Sequence, residues 1–121
     1  MQYAMLIFQD QERWEQLSVD QRNRIHEACG AWHEELVKTG QSVNCMALQP
    51  VSTATTFYER NGKSMITDGP FPETKEFLGG LEVFECRDLD EAMAIVKRFP
   101  ALPFIHSVEL RPIVPDGKCR D

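Results

Sequence analysis

The run Gln2–Phe8, QYAMLIF, constrains this chain more than any other segment. It is too short for a buried helix and too continuously apolar for a strand with one wet face. It reads as a central strand covered on both sides. A fold built on such a strand needs a layer against each face of its sheet. The next long segment supplies one. Ser18 and Gln21 have capping-box spacing, and Ile25, Ala28, Cys29, Trp32 and Leu36 recur at helical intervals as one apolar stripe. Lys38 suits the end of the helix dipole, and Gly40 is a natural stop. Between strand and helix, Gln9–Leu17 is polar, with Trp14 and Leu17 as anchors.

The remaining elements follow from the same two periodicities. Val43–Leu48 reads as a second strand ending at Pro50, and Thr53–Glu59 as a third, rich in β-branched and aromatic residues. Asn61-Gly62 is a strong hairpin signal, returning through Ser64–Thr67. Gly80–Cys86 is a fifth strand, with Leu81 and Val83 on one face and Phe84 on the other. Asp88 and Glu91 have cap spacing, and Leu89, Ala92, Met93 and Val96 are the expected stripe of a second helix stopped by Pro100. Ile105–Ile113 is the last strand. The order is α+β, a ferredoxin-like βαβ-ββ-βαβ plan with an added hairpin and both helices on one sheet face. It forms a single domain over residues 1–114, with a polar tail at 115–121. Strands one and five are apolar on both sides, so the second sheet face needs a cover. A homodimer supplies it.

Composition narrows the function classes. The net charge of −6 argues against nucleic acid and against an anionic membrane surface. No apolar run approaches the roughly 20 residues of a membrane span. The first residues lack the basic region and cleavage site of a signal peptide, so the expected location is cytoplasmic. Cys29, Cys45, Cys86 and Cys119 form no C-x-x-C pair and read as reduced, structural thiols. None of the common cofactor or nucleophile signatures occurs, and we assign neither cofactor nor metal.

The segment Ile66–Gly80, ITDGPFPETKEFLGG, is the chief candidate for a site. Asp68-Gly69-Pro70 is turn chemistry, Phe71 is a large apolar residue in a polar loop, and Glu73, Lys75 and Glu76 cluster behind it. These residues also resemble the signature of the DGPF-type proteins in the YCII-related group. Thr55-Thr56, the Asn61-Gly62-Lys63 turn, Leu89-Asp90-Glu91-Ala92 and Val108-Glu109-Leu110-Arg111-Pro112 fit the same pattern. The resemblance covers essentially the whole chain. It implies a small ferredoxin-like domain that dimerises as a dimeric α/β barrel, and an association with extracytoplasmic-function sigma factors.

Asp68 is the candidate catalytic acid or base, because it ends a strand beside the Gly-Pro turn. The alternative for it is an Asx-turn that holds the loop. Lys75 is an anion hook or a loop salt bridge. Arg111 shares a strand face with Glu109, as a buried charge pair or a solvated one at an edge marked by Pro112. Phe71, Glu73 and His26 complete the expected ligand-binding set. His26 and His33 share a helix face without zinc-site spacing, and no acid in sequence completes a ligand set with them. Some of the YCII-related proteins that the chain resembles pair a His of the first helix with an acid near the pocket. Counting back from Gly40 puts that position nearer Cys29 than His26, so the pair is not carried over. Three readings of function remain. One is a pocket enzyme acting on a small polar or anionic organic molecule. The others are a non-catalytic ligand-binding or regulatory module and a purely structural dimer.

Overall fold

The computed structural model describes residues 1–70 and 76–119. Strand β1 (Gln2–Asp10) does run through the middle of an antiparallel four-stranded sheet. Its neighbours are β5 (Glu76–Glu85) and β6 (Ser107–Pro112), with β2 (Ser42–Ala47) outside β5. The order β2-β5-β1-β6 is the ferredoxin-like arrangement. The long helix α2 (Val19–Lys38) and α3 (Leu89–Lys97) pack on one face, over a core that includes Met5, Ile25, Leu36, Phe84 and Ile95. The expected caps form. Ser18 and Gln21 exchange both capping-box hydrogen bonds, and the Asp88 carboxylate accepts from the Glu91 amide. No helix among the described residues is long and apolar enough to cross a membrane.

The hairpin of β3 (Thr55–Arg60) and β4 (Lys63–Asp68) forms a separate two-stranded sheet. Asn61 and Gly62 both take positive φ, 53° and 75°, as a tight two-residue turn between twisted strands requires. Phe57 and Ile66 on this hairpin stand 65% and 66% exposed.

Three local readings change. Gln11–Glu15 is a short helix, α1, because the Asp10 carboxylate caps the Arg13 amide. Helix α3 buries Ala92 and Ile95, whereas Leu89 and Met93 stand 48% and 39% exposed. The buried set runs on to Phe99, just past the helix, whose ring meets Trp32 edge-on at 4.9 Å. That contact rolls the helix away from the stripe its own residues suggest. Ala28 likewise falls outside the buried face of α2. Finally, β5 begins at Glu76 rather than Gly80, so Gly79 and Gly80 lie inside a strand.

Tyr3, Met5 and Ile7 of β1 sit opposite Phe84, Glu82 and Gly80 on the helix-covered face. Ala4 and Leu6 lie beside Val83 and Leu81 on the other face, where the neighbouring Met46 is 47% exposed.

Candidate functional site

Alternation along β5 places Glu82 between Gly80 and Phe84, on the face that packs against the helices. It is 1% exposed, the single buried charged residue among the described residues. A carboxylate cannot sit there unpartnered without a large desolvation cost. Three side chains converge on it. The Ser42 hydroxyl donates to Oε1 at 2.7 Å. Nδ1 of His33, from the middle of α2, lies 3.2 Å and 3.1 Å from the two carboxylate oxygens. The thiol of Cys45 is the third, its sulfur within 4.8 Å of a carboxylate oxygen.

A bulge in β2 makes this convergence possible. Strict alternation would put residues 42 and 45 on opposite faces. The register slips between Ser42 and Asn44, so Ser42 pairs with Phe84 while Cys45 pairs with Glu82. Both side chains therefore reach the helix side, the usual effect of an inserted residue.

Burial first, then the hydrogen bond and negative charge of Glu82, push the Cys45 thiol up to about 11. The residue as a whole is exposed, but its sulfur is partly desolvated over the carboxylate. It stays protonated near neutrality, the opposite of an activated nucleophile. An imidazole that donates to this carboxylate carries its proton on Nδ1. Nε2 is then free to accept a proton, as in a base oriented by a buried acid.

These groups line a cavity of about 200 Å³ between α2 and the sheet, walled by Trp14, Ile25, Trp32 and Phe99 and floored by Gly79 and Gly80. A second cavity of about 410 Å³ shares Gln9, Trp14, His26, Ala47 and Gly79 with it and extends to Pro50 and Arg22. Arg22 Nε is buried there with no hydrogen-bond partner among the described residues.

The residues expected from sequence are scattered relative to this cleft. His26 lines both cavities, its ring 5.3 Å from that of Trp14. Asp68 ends β4, exposed, and lines neither cavity. Pro70 has no N–H, and the Gly69 amide donates to the Ala54 carbonyl, so neither is available to an Asp68 turn. Arg111 lies on the edge strand β6 in an exposed pair with Glu109 at 3.6 Å, the solvated alternative. Phe71, Glu73 and Lys75 lie outside the described residues.

The chain matches the YCII-related domain over residues 1–115. The chain belongs to the YCII-related family. It is also 32% identical over 114 residues to an uncharacterized protein of Rhizobium meliloti (strain 1021), covering 93% of this chain and 92% of that one. On α2 the histidine paired with an acid is His33, neither His26 nor a residue at the Cys29 position. Sequence reasoning missed Glu82, Ser42, Cys45 and Arg22. Glu82 left one signal: it is an acid at the same strand parity as the core residue Phe84. Arg22 left none.

Proposed function

We propose that this chain binds a small polar or anionic organic molecule in the cleft between α2 and the sheet and acts on it by acid/base chemistry. His33 carries the proton, and Glu82 fixes the imidazole tautomer and steadies its charged form. The observation that carries this reading is the His33–Glu82 contact, 3.1 Å, at the wall of a cavity with the carboxylate buried. Arg22, in the adjoining cavity, offers a cation for an anionic group of the ligand. Convergent polar groups favour this over a regulatory module with a purely apolar pocket, or one tied to a sigma factor.

The assembly belongs to the same proposal. Two copies pair their open sheet faces as a dimeric α/β barrel, burying Leu6, Leu81 and Val83. Asp68 and Arg111 then stand outside the cleft described above. Free cysteines throughout the described residues fit a cytoplasmic setting.

The test is a thermal-shift screen of small carboxylates and other polar metabolites, followed by calorimetry and turnover assays on variants. His33→Ala should keep the fold, lower turnover by about 10²-fold or more, and flatten its pH profile. Arg22→Ala should weaken binding of anionic ligands only. Should Asp68→Asn abolish binding while His33→Ala leaves it untouched, the site belongs to the turn at Asp68 instead.

A further inference from the structure

We propose that His33, Cys45 and Glu82 form a binding site for a zinc-type divalent cation at the wall of the cavity. A ring nitrogen, a thiol sulfur and a carboxylate oxygen from these residues all lie within 4.8 Å of one another. Among the described residues this is the one group of three such side chains that converges. The proposal takes the cavity of the preceding reading as its setting. It rests on Cys45, which acid/base chemistry leaves idle.

The donors suit a particular metal. Nitrogen, sulfur and oxygen ligands with bonds of about 2.0–2.3 Å are those of zinc, and tetrahedral geometry then sets neighbouring donors about 3.3–3.8 Å apart. His33 and Glu82 are at 3.1 Å, slightly closer than that, and the sulfur needs a shift on the order of 1 Å to join them. Thiolate and imidazole select against magnesium and calcium, which take oxygen ligands. The supporting framework is also that of a metal centre. Glu82 stands on a central strand, fully buried, and the Ser42 hydroxyl at 2.7 Å orients its carboxylate. Cys45 comes from the bulged edge strand and His33 from α2, so three separate elements hold the three donors. Binding converts the thiol to a thiolate and releases its proton to solvent, and the imidazole proton moves from Nδ1 to Nε2 so that Nδ1 can ligate. Three protein ligands leave the fourth position open to the cavity, for water or a donor atom of the ligand.

The experiment uses the full chain, dialysed against chelator and titrated with Zn²⁺ by calorimetry and with Co²⁺ by absorption. One ion per chain is expected, with an intense near-ultraviolet sulfur-to-cobalt charge-transfer band. Cys45→Ser should remove that band and weaken Zn²⁺ binding at least about tenfold, since even an outer partner of a metal site is worth that much. Cys119→Ser should change neither. Cys45 lies exposed on an edge strand, so its serine variant tests the site even where Glu82→Gln fails to fold. Absence of the band, or a band that persists in Cys45→Ser, overturns the metal site. The acid/base reading is judged separately, on the metal-free protein. If that protein turns over ligand with a pH profile that His33→Ala flattens while Co²⁺ gives no band, the metal proposal fails and the acid/base reading stands. If Co²⁺ gives the band that Cys45→Ser removes but metal-free protein is inert, the metal site stands alone.

Discussion

Glu82 organises its surroundings because a buried carboxylate imposes on every neighbour. Burial first, and Glu82 after it, act measurably on Cys45 without any ligand. The thiol, ordinarily near 9.0, is pushed to about 11. The folded chain therefore holds that proton more tightly than the unfolded one. This contribution to stability is whole below pH 9 and fades as pH climbs toward 11. Alkylation of Cys45 at pH 8 should accordingly be slow for an exposed cysteine, and slower than that of Cys119. Glu82→Gln should speed it, by roughly tenfold for each pKa unit recovered. A rate unchanged in Glu82→Gln would mean that the carboxylate does not govern the thiol. Trp32 is a second residue with two tasks. Its indole N–H donates to the Ile95 carbonyl at 3.1 Å, and its ring walls the cavity. Trp32→Ala should cost about 3 kcal/mol or more in chemical denaturation, the range for a large core aromatic.

At the scale of elements, two strands define the cleft. Without a side chain at Gly80, β5 comes close to β2: a Cβ there would stand 2.8 Å from the Met46 carbonyl oxygen, which is backbone and cannot rotate away. At Gly79 the obstruction is the Gln9 side chain, which has other rotamers. Gly80→Ala should therefore destabilise by about 1–3 kcal/mol, with Gly79→Ala costing less, and both should narrow the cavity floor. Equal costs at the two positions would refute the backbone clash. The bulge in β2 matters just as much. Val43 is its extra residue: deleting Val43 leaves a regular ladder with Ser42 still opposite Phe84 and Cys45 still opposite Glu82, whereas replacing the bulge by strict alternation with Val43 kept would turn Ser42 away from Glu82.

For the molecule as a whole, the unresolved demand is the open sheet face. Leu6, Leu81 and Val83 are half-buried there, and Met46 is 47% exposed. If two copies close it, light scattering gives about twice the 13.9 kDa chain mass. Leu81→Asp then splits the dimer and lowers the unfolding midpoint together, because assembly and folding are coupled. A 13.9 kDa species at micromolar concentration would reject the barrel.

The sequence alone determined the local features that depend on near neighbours. The β1 run, the Ser18 and Asp88 caps, the Asn61-Gly62 turn and the order of elements all follow from short-range sterics, hydrogen bonding and hydrophobic period. Tertiary structure decided which helix face is core, because Phe99 and Trp32 meet only after α3 packs. It also decided the candidate site. His33 and Glu82 are 49 positions apart, and Ser42 is 40 from Glu82. Strand pairing and a one-residue bulge bring them together, and no local rule records either. The turn at Asp68 drew attention because its residues are adjacent in sequence. The cleft stayed hidden because its members become neighbours only when β2, β5 and α2 are in place.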